Sequence, residues 1–576
     1  MKNIYVADFE TTTTTTSTEY TRVWATCVCE MATNEITHLS TSIDEFMEYI
    51  ESLPSGSVVY FHNLAFDGKF ILYYLTQNQF TYSENRESRR TYRTLITDLG
   101  QFYEISICFK KRGKKAHHIE IRDSLKKIAL PVADMAKAFG LEMLKGEIDY
   151  DLDRPVGHIL TQEEIDYIER DVKIVAQCLK VLYDEGMGKM TSSSDALWDF
   201  KRRLANSETP KEMNKIFEYH YPKLNHEIDG EIRKSYKGGF TYVNPKFQNK
   251  IIEGGTVFDV NSLYPSVMRY KPLPIGRPRH YRGMYQEDSD YPLFIQCVYV
   301  CFRLKPNHIP TIQIKSNTLY LQTEYLTESD KDTPVMLWLT SVDFQLFIDH
   351  YYIDYIEYVE GYKFREATDI FNTYIDHWVQ VKNESAKSGN SGMRALSKLM
   401  LNSLYGKFGT NPVRTPKIPW YDEELGLVRY NLGETTYDDP IYTALASFVT
   451  SYGRDITIRT AQSVYDRFIY ADTDSIHLVG YETPDIDIDD YRLGAWKHEY
   501  YFVRGKFLRP KTYAEEAVNK HGEVELEIRC AGLPSNCKTQ IKSLEEFSHG
   551  TVVKGKKVPK TVRGGVLLVE VDFEIK

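Results

Sequence analysis

Tyr470-Ala471-Asp472-Thr473-Asp474-Ser475 sets two carboxylates two residues apart, between the apolar runs 468–470 and 476–478. Two short apolar runs joined by polar residues predict a β-hairpin with acids at its tip. Crowded carboxylates repel each other unless a cation lies between them, and hard oxygen ligands suit Mg²⁺ or Mn²⁺. An ordinary acidic turn is the alternative for this hexapeptide taken alone.

A second acid, Asp259, follows a short β-branched and aromatic run at residues 256–258. The sequence DVNSLYP (259–265) then predicts a turn into a helix. With the hairpin acids, a carboxylate at this strand end would hold two divalent ions about 3.5–4 Å apart, as nucleotidyl transfer requires. The alternative for Asp259 alone is a helix N-cap.

Residues 391–408 (SGMRALSKLMLNSLYGKF) predict an amphipathic helix. One face carries Arg394, Lys398, Asn402 and Tyr405, and the remainder is apolar. Two cations, an amide and an aromatic ring suit a nucleoside triphosphate, since the charges meet the phosphates and the ring lies near base and sugar. A solvated helix face is the alternative.

The N-terminal third contains a separate group of acids. Asp8 and Glu10 end a predicted strand and point to the same side of it. Asp67 is expected in a loop at residues 62–68. Taken alone, Asp8 and Glu10 would more often be exposed charges at the end of a strand.

A helix is predicted to begin at Thr161, with Glu164 completing a capping box. Tyr167 and Asp171 lie one turn apart on it and face the same way. With the preceding three, this makes four acids and a phenol. Such a set fits a nuclease in which one metal ion activates water and another stabilises the leaving oxygen.

Composition limits the class of protein. The 576 residues, 42% of them hydrophobic, are enough for several domains. We expect neither export nor membrane spanning, because the sequence shows no N-terminal apolar segment and no apolar run near about 18 residues. Eight cysteines without a CxxC pair indicate reduced thiols.

The charge distribution suits an enzyme that grips phosphates and handles metals. A net charge of -10 argues against a uniformly basic nucleic-acid binder. Basic stretches such as 538–563 nevertheless flank the acidic motifs. Each basic stretch, taken alone, is equally compatible with a solvated face.

Three motifs resemble those of the family B DNA polymerases, and more narrowly the protein-primed polymerases of phi-twenty-nine-like bacteriophages. The hairpin resembles their YxDTDS motif, residues 259–265 their DxxSLYP motif, and residues 398–406 their KxxxNSxYG motif, in the family's order. The resemblance runs from about Tyr5 to the C-terminus. It implies a multidomain α/β and α+β fold, with an RNase H-like 3′–5′ exonuclease domain and a right-hand polymerase domain of palm, fingers and thumb.

The resemblance assigns roles in the exonuclease. Tyr167 would orient the attacking water, and Lys145 matches a lysine that assists the nuclease. The implied metal ligands are Asp8, Glu10, Asp67 and Asp171. The implied contacts to the single-stranded 3′ end are Asn63, Phe66, Ser124 and Leu125.

In the polymerase, the resemblance gives both metal ions to Asp259, the Val260 carbonyl and Asp474, with Asp472 in support. Lys398 would neutralise the triphosphate. Tyr264 would pack under the sugar and reject a 2′-hydroxyl, and Tyr405 would back the nascent base pair.

Further positions match the family with three departures, one of which is Ala471 in place of a bulkier residue in the hairpin. Arg394 stands where the family has lysine, and residues 385–392 are an extra segment after Lys382, which matches a phosphate-binding lysine. The implied DNA contacts are Tyr236, Gly238 and Gly239 of a Gly-rich turn, Thr450 and Arg454 of a TxxGR motif, and Lys511 and Tyr513 of a KxY motif.

The resemblance also divides the chain. The exonuclease domain would occupy residues 1–191, the palm 192–269 and 439–530, the fingers 373–409 and the thumb 531–576. Two insertions peculiar to protein-primed members would occupy 270–372 and 410–438. One would contact the priming protein, and the other would close around DNA and allow strand displacement.

The expected function is a DNA-directed DNA polymerase with a proofreading 3′–5′ exonuclease and two divalent ions in each active site. Its expected partners are template and primer DNA, deoxynucleoside triphosphates and a terminal protein that supplies the priming hydroxyl, in the cytoplasm of a bacterial host. The alternatives are a nucleic-acid-primed family B polymerase, an exonuclease that has lost synthesis, and a non-catalytic scaffold. Intact Asp259, Asp474 and Lys398 argue against the second, and the cost of unneutralised acids argues against the third.

Overall fold

The computed structural model describes residues 3–14, 17–84, 88–112, 115–150, 152–314, 325–330 and 332–576. Within these ranges, no helix is both long and apolar enough to cross a membrane. The eight cysteines are buried free thiols.

The N-terminal region is a mixed sheet covered on both faces. Its strands are β1 (Ile4–Thr11), β2 (Val23–Glu30), β3 (Glu35–Ser40), β4 (Val58–Phe61), β5 (Thr81–Tyr82), β6 (Thr91–Ile96), β7 (Phe102–Arg112) and β8 (Lys115–Asp123). Its helices are α1 (Ile43–Ser52), α2 (Leu64–Gln77), α3 (Val132–Phe139) and α4 (Gln162–Asp184). The strand order is β3-β2-β1-β4-β8-β7-β6-β5. Alternate residues of β1 face opposite cores, Val6 with α4 and Ala7 with α1 and α2.

One N-terminal prediction is wrong in its local structure. Asp67 lies in the first turn of α2, not in a loop. The helix begins early because Asn63, its N-cap, takes a left-handed backbone (φ 76°). Gly68 does not break the helix and instead permits close packing, since a Cβ there would lie 3.2 Å from Phe102.

The next segment contains α5 (Ser192–Ala205), α6 (Pro210–His220), α7 (His226–Arg233), β9 (Thr241–Val243), β10 (Ile251–Val260) and α8 (Leu263–Tyr270). The region expected as the first insertion follows with β11 (Leu273–Arg282), β12 (Leu293–Leu304), β13 (Ile312–Gln313), β14 (Tyr325–Leu326), β15 (Val335–Thr340), α9 (Ser341–His350) and β16 (Tyr351–Ala367). Four of these strands form their own sheet, in the order β11-β16-β12-β15. Residues 315–324 and 331 of this region lie outside the described part.

Two helices follow, α10 (Asn372–Ser388) and α11 (Ser391–Phe408), and pack against each other. The predicted bounds of α11 are confirmed. The first half of the extra segment 385–392 lengthens α10, which Gly389 ends in a left-handed conformation (φ 73°), and its last two residues begin α11.

The strands after α11 are β17 (Val413–Arg414), β18 (Lys417–Asp422), β19 (Leu427–Leu432) and β20 (Thr436–Tyr437). The hairpin of β18 and β19 packs on the N-terminal region, where Val428 joins the core beneath α1 and α2. The C-terminal part contains α12 (Thr443–Ser463), β21 (Phe468–Asp472), β22 (Ser475–Val479), β23 (Trp496–Arg509), β24 (Thr512–Val518), β25 (Val524–Cys530), α13 (Ser535–Lys538), β26 (Val552–Val562) and β27 (Gly565–Glu574).

A seven-stranded sheet joins distant parts of the sequence, in the order β25-β24-β23-β10-β22-β21-β9. β10 therefore lies between β22 and β23, as expected for a domain that the chain leaves and re-enters. The hairpin of β26 and β27 reaches back to the N-terminal region, where Val566 joins the same core as Val428.

Candidate active sites

The predicted acidic hairpin is formed by β21 and β22. Thr473 at its tip has a left-handed backbone (φ 63°). The Thr473 N–H donates to the Phe240 carbonyl oxygen at 2.6 Å, and the Thr473 carbonyl accepts from the Thr457 hydroxyl at 2.7 Å. Bonds to two neighbouring segments therefore hold the strained tip in place.

Asp259 lies at the end of β10, opposite Ser475 of the hairpin. The Val260 N–H donates to the Asp474 carbonyl oxygen at 2.8 Å, which fixes the strand end to the hairpin tip. The sheet thus brings together three acids that we call the hairpin cluster: Asp259, Asp472 and Asp474.

The three acids differ in their surroundings. Asp472 is held by donors, with Lys511 Nζ at 3.1 Å from Oδ1 and the Tyr470 hydroxyl at 3.4 Å from Oδ2. Burial and the charge of Asp472 raise the pKa of Asp474. Burial, followed by the charges of Asp474 and Glu499, raises the pKa of Asp259 to about 8. Asp259 and Asp474 are therefore the pair that gains most from a bound cation.

The cations predicted on α11, Arg394 and Lys398, are exposed, and so is Asn402 on the same face. Lys382 on α10 approaches the same face, and its Nζ lies 3.5 Å from the Ser262 hydroxyl. Burial, Lys398 and Arg394 lower the pKa of Lys382, so these three cations are close enough to repel one another. Crowded cations of this kind suit a polyanion.

Tyr264 packs tightly beside the hairpin cluster. Its ring centroid lies 4.3 Å from that of Tyr405 on α11. A Cβ on Gly453 would come within 2.9 Å of the Tyr264 ring, and one on Gly239 would come within 2.9 Å of its hydroxyl. The ring is therefore fixed between α12, α11 and the Gly-rich turn.

The TxxGR residues support the Gly-rich turn from inside. Arg454 is buried, with Nη2 2.7 Å from Asp343 Oδ2 and Nη1 2.6 Å from the Gly238 carbonyl oxygen. The buried Thr450 hydroxyl donates to the Ala446 carbonyl at 3.1 Å. Neither side chain faces solvent, whereas Gly238 is exposed and Tyr236 half-buried.

The KxY residues flank the hairpin cluster. Lys511 has a left-handed backbone (φ 58°), and its ammonium is directed at Asp472. Tyr513 packs in an aromatic group, 5.3 Å from Phe507 and 5.0 Å from Tyr470 between ring centroids. The motif therefore braces the hairpin from the β23–β24 turn.

A second group of acids lies in the N-terminal region and is called the N-terminal cluster: Asp8 and Glu10 of β1, Asp67 of α2 and Asp171 of α4. Burial and the charge of Asp171 raise the pKa of Asp8 to about 7. Burial, then the charge of Asp8, raises the pKa of both Glu10 and Asp67. The structure thus gathers all four predicted acids within electrostatic reach.

Lys145 lies inside this cluster, with Nζ 2.5 Å from Asp171 Oδ2. The other oxygen, Asp171 Oδ1, is buried without a hydrogen-bond partner in the described structure. Tyr167 shares a short hydrogen bond with the hydroxyl of Tyr150. The Lys145 ammonium also lies 5.4 Å from the Tyr167 ring centroid, so the predicted lysine and phenol are both beside the acids.

The donor atoms of the two clusters are of the kind that divalent ions prefer, but they are not arranged around a single ion. Clustered carboxylates with raised pKa values and the unpartnered Asp171 Oδ1 suit Mg²⁺ or Mn²⁺. Within the described ranges, however, no three His, Cys, Asp or Glu side chains are already placed to hold one ion. The residues fit the metal in kind, although they do not form a closed cage.

Two of the four residues expected to hold a 3′ end bond one buried acid, Asp123, through their backbone. The backbone N–H groups of Asn63 and Leu125 both donate to Asp123 Oδ1 at 3.0 Å. Asn63 is exposed, and Phe66 and Leu125 are half-buried. Ser124 is fully buried, and its hydroxyl donates to the Phe61 carbonyl at 3.1 Å.

Sequence reasoning missed the role of Arg154. Its guanidinium bonds Glu164 Oε1 at 2.6 Å and the Asp149 carbonyl at 2.8 Å, and lies 4.2 Å from the Trp24 ring centroid. Burial opposes ionisation of Glu164, yet bonds from Arg154 and from the Thr161 N–H lower its pKa to about 2. Asp123 was missed in the same way, and only the capping box at Glu164 gave a sequence signal.

The chain is similar over its whole length to known DNA polymerases. The family model for DNA polymerase type B, organellar and viral, matches residues 49–493. The DNA polymerases of Bacillus phage Nf and Bacillus phage phi29 are 43% and 41% identical to this chain, which is covered completely, as are 100% and 99% of those relatives. The DNA polymerase of Streptococcus phage Cp-1 is 34% identical over 99% of this chain and 98% of its own length.

Solved structures of phi29 DNA polymerase match the whole chain, in agreement with the sequence relatives. Phi29 DNA polymerase complexed with primer-template DNA superposes with a TM-score of 0.93 at 40% identity. Its complex with primer-template DNA and incoming nucleotide substrates gives 0.91 at 41% identity, and both matches cover 100% of each chain. The predicted fold class is confirmed, and the chain belongs to the type B DNA polymerases of phi29-like bacteriophages.

Proposed function

We propose that this DNA polymerase has two separate active sites: the hairpin cluster for synthesis and the N-terminal cluster for 3′–5′ degradation. The observation that carries the proposal is the presence of two buried or half-buried acid groups on different sheets, each with its own lysine. A phi29 structure contains primer-template DNA and incoming nucleotides, which supports DNA and deoxynucleoside triphosphates as partners here.

In synthesis, Asp259, the Val260 carbonyl and Asp474 would hold two Mg²⁺ ions, with Mn²⁺ as a substitute, and Asp472 would support the hairpin. Bound ions would lower the pKa of the primer 3′-hydroxyl and balance charge on the leaving group. The 3′ oxygen forms a bond to the α-phosphorus as the bond to pyrophosphate breaks, and the hydroxyl proton passes to solvent. Arg394, Lys398 and Lys382 would bind the triphosphate.

The remaining polymerase residues would select and position. Tyr264, fixed by its neighbours, would exclude a 2′-hydroxyl, and Tyr405 would support the base pair. Asn402 completes the α11 face. Arg454 and Thr450 would act on DNA indirectly, by holding the turn that presents Tyr236, Gly238 and Gly239. Lys511 and Tyr513 would steady the primer strand.

In degradation, Asp8, Glu10, Asp67 and Asp171 would hold the metal ions. Tyr167 would orient the attacking water, and Lys145 would offset negative charge at Asp171. Asn63, Phe66 and Leu125 would line the path of the 3′ end, with Ser124 supporting them from within.

We further propose protein-primed initiation in the cytoplasm of the bacterial host, with a separate terminal protein as partner. The sheet of 270–372 and the hairpin of 410–438 would act as the two insertions. Contacts of the second with the N-terminal region support a wall around DNA. A nucleic-acid-primed polymerase is the alternative.

The site assignment is tested by primer extension and single-strand degradation, each with Mg²⁺ and with a chelator. Both activities should require the ion. A protein that extends a primer but never degrades single strands would contradict the N-terminal assignment alone.

Deletion of about 413–434 tests the second insertion. Short extension on a primed template should survive, because no catalytic acid is removed, while strand displacement and processive copying fall. Thermal unfolding must be compared, since the deletion uncovers the core around Val428. A stable deletion protein that still copies long duplex templates unaided would contradict the assignment.

A further inference from the structure

Lys497 lies on β23, directly opposite Asp259 on β10. Opposed residues of antiparallel strands point to the same face, with Cβ atoms about 4.5–5.5 Å apart. The Lys497 ammonium lies 2.7 Å from Glu499 Oε1, and its side chain is 36% exposed. The charge is therefore on the same face as the hairpin cluster and accessible from solvent.

Lys497 is also close to the cations of the two helices. After burial and Arg394, its charge lowers the pKa of Lys398, and it has the same effect on Lys382. Lys497 thus adds a fourth positive charge to Lys382, Arg394 and Lys398. It comes from the sheet, whereas the other three come from α10 and α11.

We propose that Lys497 binds the phosphates of the incoming deoxynucleoside triphosphate, and then the pyrophosphate that leaves. Crowding four cations is unfavourable unless an anion joins them, and a triphosphate between sheet and helices would meet all four. The exposed pair with Glu499 is weak enough to exchange for a phosphate contact. This role rests on the proposed placement of the triphosphate at α11.

The competing explanation is that Lys497 only offsets the negative charges of Asp259 and Glu499. The two explanations differ in what the lysine contacts, and therefore in which kinetic constant changes. Loss of a phosphate contact weakens nucleotide binding and the reverse reaction with pyrophosphate. If Lys497 only offsets the carboxylates beside it, its loss changes the protonation of these acids and lowers the turnover rate at saturating nucleotide.

The test measures single-nucleotide incorporation and pyrophosphorolysis by the full chain carrying Lys497→Gln, Lys497→Met or Lys497→Arg. The Gln and Met variants should raise the KM for the nucleotide about tenfold, the effect of one lost charge-assisted contact, with a smaller change in kcat. They should raise the KM for pyrophosphate similarly. The Arg variant should restore most of both.

Lys520→Gln is the matched control, because this exposed lysine lies at the β24–β25 turn of the same sheet. Its constants should not change; an equal rise there would reveal a general charge effect and overturn the proposal. A fall in kcat with unchanged KM in the Gln and Met variants would also overturn it.

Lys398→Gln distinguishes failure of the role proposed for Lys497 from failure of the placement of the triphosphate at α11. If Lys398→Gln raises the nucleotide KM and Lys497→Gln does not, only the role of Lys497 fails. If neither does, the placement of the triphosphate at α11 fails as well.

Discussion

The N-terminal cluster takes its acids from β1, α2 and α4 and buries most of them, whereas the hairpin cluster lies at the end of one sheet and stays half-open. Each contains a lysine bonded to one acid. Lys145 is 33% exposed and 2.5 Å from Asp171, while Lys511 is 59% exposed and 3.1 Å from Asp472. Under the proposed function, the same residue types would serve different needs: a closed site for a strand end, and an open one facing the cationic helices.

The largest expected difference between the two clusters is the loss of activity when the lysine of each is replaced. Lys145→Ala should lower single-strand degradation about 100-fold, as loss of a preorganised charge does, and leave extension intact. Lys511→Ala should lower extension only about tenfold, because its exposed charge is screened by solvent. Single-turnover rates for both activities check this, and equal losses from the two changes would contradict the contrast in burial.

Sugar selection is specific to the hairpin cluster. Tyr264→Val opens space beside Gly453 and Gly239, so incorporation of ribonucleotides should rise about tenfold relative to deoxynucleotides. Tyr264→Phe keeps the ring and should behave like the native protein. Competition assays with both nucleotide types give the ratio, and unchanged discrimination in the Val variant would make Tyr264 a packing residue only.

Arg154 gives a smaller effect on the N-terminal cluster. Arg154→Gln removes the bonds to Glu164 and to the Asp149 carbonyl, so the segment bearing Tyr150 loosens and degradation should fall several-fold. Extension should be unchanged. Lys180→Gln is the control, because it breaks an exposed pair with Asp184 on α4, the helix that also bears Glu164. The midpoint of thermal unfolding should fall, since breaking a buried pair costs about 3–5 kcal/mol. A lower midpoint with native degradation would limit Arg154 to stability.

The smallest effect concerns pH without divalent ions. The folded chain keeps protons on Asp8 (pKa about 7) and Asp259 (pKa about 8) that the unfolded chain releases near 3.8. The resulting stability is fully present below about pH 4 and is lost progressively as the pH rises to the folded-state pKa values of about 7 and about 8. In chelator, the midpoint temperature of thermal unfolding should fall as the pH rises from about 4 to about 8, and change little above that. Mg²⁺ should reverse the fall, and a midpoint unaffected by Mg²⁺ at high pH would contradict cation binding by these acids.

Contiguous motifs predicted much of this arrangement. The hairpin tip, the bounds of α11 and the capping box of α4 depend on residues close in sequence, so periodicity and spacing were sufficient. Asp67 was misplaced because a left-handed Asn63 starts the helix early. The inward orientation of Arg454 and the roles of Asp123 and Lys497 depend on partners far along the chain, which local patterns cannot show.

If synthesis and degradation use separate acids, each activity should depend on its own cluster, and both activities are therefore measured in Asp474→Ala and in Asp171→Ala. Asp474→Ala should abolish extension and leave single-strand degradation near the native rate. Asp171→Ala should abolish degradation and leave extension near the native rate. Loss of both activities in either variant, with native thermal unfolding, would contradict two independent sites.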